Sequence, residues 1–388
     1  MSDPRPIEAG QGHRTRHDER PVPSCGTATC QVDAISPALS QELDELYQHL
    51  NSSLRHFALR DQAQGASAYV ARRDGRPLAI LLFHQEKRRI RVLNEMITIP
   101  SEEIERFARY VFARFPAVSA ISFSLIGRDI GRLSLPFQQY GHSEDILVTL
   151  PPSPEAYLAS LGSKTRHNIR HQLKAIAHDY PGLQFRTLEH GGIGRQDVLD
   201  LIALKKRNTD EKGIDFGISA QESTWLAEQA QESGLLVVAT AENRLCGGSL
   251  SLRLGDHYFA YVVAYDTEFS RYSLGMLCCY LAMQEKIARR ARVAHLSWGR
   301  QQYKFKLQGV QHDTASLDIY RSRLAYWRHP HRLVRHAASD GAQRCKRALL
   351  DSERRQGVLP AMSRVLVGTL RAMKRLLVRR RHRLERRG

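Results

Sequence analysis

Between Ser40 and Arg60, Leu43, Leu46, Tyr47, Leu50 and Leu54 fall on one face, and this spacing predicts a helix. A two-strand pattern follows at Ala68–Arg72 and Leu78–Phe83, joined by a hairpin turn at Asp74-Gly75. Ile90–Ile99 predicts a third strand. Ile104, Phe107, Ala108, Val111 and Phe115 mark the face of a second helix, and Val118–Ile126 a further strand. The same order returns later in the chain. Helices are expected around Val198–Leu204 and Ser223–Glu232, and strands at Leu235–Ala241, Gly248–Leu254 and His257–Tyr265. A helix over Leu274–Arg290 and a strand over Val293–Trp298 complete the series. The halves share element order without sequence identity, at a spacing of about 170 residues, which points to two similar α/β domains. The Pro151-Pro152-Ser153-Pro154 cluster marks the boundary between them.

The expected layout is a disordered lead over 1–35, one domain over 36–150, a second over 151–320, and a basic amphipathic helical tail over 321–388. Composition sharpens that layout. Of 388 residues, 42% are hydrophobic and 25% charged, which excludes a mainly disordered, collagenous or membrane-spanning chain. The net charge is +18, but residues 321–388 hold 20 Lys/Arg against 4 Asp/Glu, so they carry +16 of it. The body is nearly neutral. In the tail, Met362, Leu366, Leu370, Met373 and Leu377 recur at helical spacing among arginines, the pattern of a helix lying on an anionic membrane surface. The polar N-terminus lacks an apolar leader segment, and no apolar run reaches membrane-spanning length, so a cytoplasmic location is expected. The six cysteines show no CxxC or zinc-like spacing, and the seventeen histidines are scattered, so reduced thiols and no metal are expected.

Candidate chemistry concentrates between Gly247 and Gly309. There a strand delivers the chain to Tyr265-Asp266, a short polar loop follows, and a helix opens at Ser273-Leu274-Gly275-Met276. A helix N-terminus after a strand offers unpaired N–H groups and a positive dipole end, suited to a pyrophosphate. Gly275 permits close backbone approach, while Ser273 as an N-cap would fill those donors itself. Downstream, Trp298-Gly299 and Tyr303-Lys304 leave a strand end, where α/β sheets build their ligand crevices. Tyr303 could serve as an acid if its surroundings favour the phenolate, and Lys304 could hold an anion. Arg166, Arg170 and Lys174 stack along one helix face and would be relieved by an anion.

These residues carry a resemblance. The string Leu161-Gly162-Ser163-Lys164-Thr165-Arg166-His167-Asn168-Ile169-Arg170, then Tyr265-Asp266, Ser273-Leu274-Gly275, Trp298-Gly299 and Tyr303-Lys304, resembles the FemAB-like branch of the GNAT superfamily. Within that branch the likeness is to cellulose- and exopolysaccharide-biosynthesis proteins of the CelD type. The resemblance implies tandem GNAT-like domains, each a mixed twisted sheet flanked by helices, and an acyl-CoA-dependent acyltransferase acting on an amine or hydroxyl of a saccharide precursor. It places the donor pyrophosphate on Ser273, Leu274, Gly275 and Met276, a base or orienting carboxylate at Asp266 and an acid at Tyr303. Arg166, Arg170, Trp298 and Lys304 are left to the substrates. Tyr272 and Leu277 stand where the broad GNAT signature has Arg/Gln and a second glycine, which leaves room for an aminoacyl-tRNA donor. A non-catalytic relative that binds membranes or anionic polymers is the third reading. Nucleic acid beyond such a donor is not expected as a partner.

Overall fold

The computed structural model describes residues 18–21, 27–32, 35–59, 62–128, 130–211, 213 and 216–328. The first half runs β1 (Asp18–Pro21), β2 (Thr27–Gln31), α1 (Leu39–Tyr47), a 3-10 turn (Leu50–Ser52), α2 (Leu54–Leu59), β3 (Ser67–Arg73) and β4 (Arg76–Glu86). It continues with β5 (Arg89–Val92), α3 (Ser101–Arg114), β6 (Ala120–Gly127) and β7 (Phe137–Thr149). The second half holds α4 (Pro154–Ser160), α5 (Ser163–Asp179), β8 (Leu183–Glu189), α6 (Arg195–Glu211), α7 (Ala220–Ser233), β9 (Gly234–Ala241) and β10 (Arg244–Leu254). After these come β11 (His257–Tyr265), α8 (Leu274–Ala288), β12 (Val293–His295), α9 (Gln302–Lys306), β13 (Val310–Tyr320) and α10 (Arg323–Trp327).

All thirteen described strands form one mixed sheet, ordered β1-β2-β3-β4-β5-β6-β13-β7-β12-β11-β10-β9-β8. Its two halves repeat one pattern. β2 to β5 are antiparallel, β5 runs parallel to β6, and an antiparallel strand closes the set; β8 to β12 do the same. Two helices precede the second strand of each set, α1 and α2 or α6 and α7, and one helix crosses between the parallel pair, α3 or α8. The closing strands are exchanged: β13 completes the first half on β6, and β7 completes the second on β12. β7 and β13 then pair with each other and weld the halves into one sheet.

Local chemistry explains the elements. Asp74 and Gly75 both take positive φ, the twist a two-residue hairpin needs between β3 and β4. α3 places Glu102 and Glu103 in its first turn and Arg114 in its last, matching its dipole, and buries Ile104, Phe107, Ala108 and Val111 on the sheet. α8 is apolar nearly all round and is buried on the opposite half through Leu277, Cys278, Ala282 and Met283. Among the described residues Cys30, Cys246, Cys278 and Cys279 are buried and form no disulfide.

Several expectations change. The helix expected over 40–60 breaks at Gln48, which is left-handed, and His49, which is extended. Asn51, Ser52 and Ser53 favour local caps over continued helix. The strand expected over 90–99 ends at Val92, because the Asn94 side chain takes the Leu82 N–H at 2.8 Å. The lead expected to be disordered supplies β1 and β2; β2 buries Ala28 and Cys30 against β3. Only Arg321–Arg328 of the expected tail are described, and residues 329–388 lie outside the described residues.

Candidate functional site

β11 and β12 pair only over His257–Phe259 and Val293–His295, after which they part. β11 runs on to Tyr265, while the other chain turns away through Ser297 and Gly299, both at positive φ. The resulting slot is stapled at its apex, where Ser297 Oγ donates to the Ala260 carbonyl at 2.8 Å. Lys304 holds the outgoing loop. Its Nζ donates to the carbonyls of Ser297 (3.0 Å) and Trp298 (2.7 Å) from a buried position, and burial lowers its pKa to about 8. Lys304 is thus spent on backbone oxygens, whereas Trp298, 57% exposed, stands at the rim of a cavity.

At the far end of β11, α8 opens without a side-chain cap. Ser273 is left-handed and its hydroxyl does not fill the first-turn donors; its carbonyl accepts from Met276 (2.8 Å) and Leu277 (3.1 Å). The N–H groups of Leu274 and Gly275 therefore begin the helix. Gly275 is set by packing: a Cβ there would stand 2.7 Å from Cδ1 of Tyr265. No acidic residue lies in the first turn of α8, in contrast to Glu102 and Glu103 in α3.

Asp266 does not join this opening as a free base. It caps the 3-10 turn Thr267–Tyr272 by accepting the Glu268 N–H (3.1 Å), and it pairs with Arg244 at 2.9 Å. Tyr303 packs beside Cys279 on the α8 face, and burial drives its phenol well above the usual value, against the phenolate its acid role required. Arg166 donates to the carbonyls of Ala159 and Leu161 and so braces the turn between α4 and α5. Arg170 stays exposed on α5.

The cavity lies on the other face of the sheet, at the junction of the halves. It has two lobes, of about 560 and about 410 Å³, which share His49, Met96, Asp145 and His295 in their walls. The polar cluster here was not expected from the sequence. His295 Nδ1–H donates to Asp145 Oδ2 at 2.6 Å, His49 Nε2 faces the same oxygen at 3.5 Å, and His257 Nδ1 meets His295 Nε2 at 3.0 Å. Phe259 stacks on the His295 ring, centroids 4.1 Å apart. Burial would raise the Asp145 carboxyl, but the bonds from His295 and His49 outweigh it and hold it well below the carboxylate range. Burial pushes His295 down to about 4, with its bond to Asp145 opposing in part.

His49, Asp145 and His295 bring ligand-type atoms within 4.8 Å of one another, the spacing of a metal site. Hydrogen bonding assigns them otherwise. His49 Nδ1 accepts the Asn51 N–H at 3.1 Å, so Nε2 carries the proton of the neutral ring and donates toward Asp145. A ring in that tautomer offers no lone pair to a metal at Nε2.

Residues 163–306 match the family model of the acetyltransferase (GNAT) domain, from the first residue of α5 to the last of α9. The fold is of the GNAT type. The crystal structure of FemX is similar with a TM-score of 0.55 at 13% identity, covering 76% of this chain and 98% of FemX. A conserved protein of unknown function from Bacteroides thetaiotaomicron VPI-5482 gives 0.49 at 10% identity, over 74% and 98% of the two chains. A GCN5-related N-acetyltransferase from Sphaerobacter thermophilus gives 0.37 at 14% identity, over 75% and 95%. No curated protein matches the chain in sequence. The GNAT match encloses the slot, the α8 opening and the Trp298 loop. His49 and Asp145 come from outside it. Among the described residues no helix is long and apolar enough to cross a membrane.

Proposed function

We propose that the protein is a FemAB-like, CelD-type acyltransferase that moves an acyl group from acyl-CoA to an amine or hydroxyl of a saccharide or cell-envelope precursor. The observation that carries this reading is the GNAT match over residues 163–306. In this reading the donor pyrophosphate rests on Leu274 and Gly275 N–H groups beside Ser273 and Met276, where no first-turn acid repels it. The same argument disfavours the first half, whose α3 presents Glu102 and Glu103. The thioester would enter between β11 and β12, and the acceptor would approach from the cavity, which His257 lines in its larger lobe and Trp298 rims at its smaller one. Orientation of the two reactants and backbone polarisation of the carbonyl supply most of what acyl transfer needs. Arg166 is committed to its turn, which leaves Arg170 as the nearer cation for donor phosphates. The enzyme would work in the cytoplasm, with its basic tail on the inner membrane surface.

A second donor, aminoacyl-tRNA, is favoured by one observation. Tyr272 and Leu277, which replace the signature Arg/Gln and glycine, are both buried, so the α8 opening is more enclosed than that signature implies. Calorimetric titration separates the two. Acetyl-CoA binding in the micromolar range supports the first; binding weaker than millimolar for every CoA thioester, with heat only from charged tRNA, replaces it with the second.

A further inference from the structure

The hydrogen bonds of the junction cluster fix where each proton sits. Asp145, ionised, can only accept, so His295 donates through Nδ1 and its Nε2 is a lone pair. That lone pair must take a proton from His257, so His257 donates through Nδ1 and its own Nε2 is left bare. Among the described residues Nε2 of His257 has no hydrogen-bond donor; its nearest charged neighbour is Asp256 Oδ1 at 3.7 Å. His257 lines the larger lobe of the cavity. His49, locked by Asn51, turns its Nε2–H toward the same Asp145 oxygen at 3.5 Å and keeps that carboxylate an acceptor.

The first half shows what the same place looks like without this property. There Arg89 starts the parallel strand as His257 does, and Ser122 occupies the third paired position of its neighbour as His295 does. On the exchanged strand Asp318 pairs directly with Ser122, whereas Asp145 lies two residues from Leu147, the partner of His295. Arg89 donates to Ser122 at 2.6 Å and Ser122 to Asp318 at 2.5 Å, a set that cannot pass a proton near neutral pH because Arg stays charged.

We propose that His257, with its tautomer set by Asp145 through His295, is the base that removes the proton of the acceptor nucleophile. The proposal rests on the acyltransferase reading. As the acceptor nitrogen or oxygen bonds to the acyl carbon, its proton passes to Nε2 of His257. The bond from the acyl carbon to the donor sulfur breaks, and its electron pair leaves on the sulfur. Protonated His257 then meets Asp256 and returns the proton to water in the lobe. His257 would be the catalytic residue, and His295 and Asp145 its positioning residues.

The groups facing His257 are Asp256 beside it, Arg292 before β12, His295 on β12, Asp145 on β7 and His49 from the first half, with Arg128, His312 and Asp313 across the lobe. Burial lowers the His257 pKa below the ordinary histidine value, with His49 and Arg292 adding to the effect and Asp256 opposing it. The base is therefore bare at neutral pH, and activity falls as pH drops through a value under the ordinary one.

Two measurements on the full chain test this. The first uses 15N-histidine labelling and imidazole nitrogen spectra, assigned with His257→Gln and His295→Asn. The expected result at pH 7.5 is Nδ1–H with bare Nε2 on both rings; an Nε2–H form on either overturns the relay. The second follows CoA release from acetyl-CoA over a panel of amino sugars. His257→Gln should lower kcat by about 10²–10⁴-fold, leave KM for acetyl-CoA within about 3-fold, and erase the acid limb of the pH profile. Asp145→Asn should lower kcat and displace that limb, and Asp145→Glu should recover part of the loss. Wild-type kcat in His257→Gln, or an unchanged limb, overturns the assignment. If the wild type neither binds nor turns over acetyl-CoA, the acyl-CoA reading fails, and the relay then stands or falls on the tautomers.

Discussion

Two aspartates on exchanged strands hold different partners: Asp318 in the first half sits opposite Ser122, and Asp145 in the second half lies two residues from Leu147, the partner of His295. Asp318, fully buried, closes on Ser122 and the guanidinium of Arg89, and no imidazole is among these partners. Asp145 closes on two imidazoles at the wall of a cavity, with a third imidazole bonded behind one of them. One sheet thus carries a polar lock without imidazoles and one built on them. Strand order, strand direction and helix placement are shared, so the difference lies in side-chain chemistry and in the two-residue offset of the aspartate. The crossover helices follow the same rule: α3 opens on two acids and α8 on none.

The comparison can be broken most severely at the lock. Asp318→Ala strips the buried partner from Arg89 and should cost about 3–5 kcal/mol in urea unfolding at pH 7. It should leave the pH dependence of the second half in place; a loss below about 1 kcal/mol would mean that Arg89 and Ser122 relax without strain. At the α8 opening, Gly275→Ala drives a Cβ into Tyr265 and should cost about 1–3 kcal/mol by the same measurement. Unchanged stability there would show that α8 can shift off β11. The smallest effect belongs to the loop. Lys304→Met removes two donors from the Ser297 and Trp298 carbonyls and should cost about 1–2 kcal/mol, with Trp298 fluorescence shifting as the loop loosens. An unaltered spectrum would assign the loop's order to Ser297 alone.

Much of the frame was legible because it is written in periodicity. The apolar and aromatic run over His257–Tyr265 and the apolar run opening at Leu274 both mark true elements. The cavity was not legible, for the reason that makes it a cavity. β7 and β13 cross the junction with polar residues such as Glu144, Asp145 and Asp313, so neither shows the alternation of a half-buried strand. His49 was hidden differently. The helical spacing of Leu46, Tyr47 and Leu50 continues through a break that only Asn51, Ser52 and Ser53 hint at. Of the residues read as chemical, Ser273, Leu274, Gly275 and Met276 lie together at the α8 opening, and Trp298 reaches the cavity. Asp266, Arg166 and Lys304 are engaged by neighbouring groups, and Tyr303 lies on the opposite face. Side chains of those types satisfy backbone and ion partners as readily as ligands, and spacing alone does not separate the two uses.

The central claim, that the His295 ring makes the second-half lock pH-dependent, is tested most directly by unfolding free energy against pH. The folded His295 pKa is about 4, against about 6.5 for an unfolded histidine. Between those values the unfolded chain binds a proton that the folded chain refuses, so stability is full above pH ~6.5 and falls as pH drops toward ~4. The loss assignable to this ring is about 3 kcal/mol. Urea unfolding of wild type, His295→Asn and Ser122→Ala across that window should show the wild-type slope shallower in His295→Asn and unchanged in Ser122→Ala. An equal slope in His295→Asn, or a flattened one in Ser122→Ala, would contradict the account.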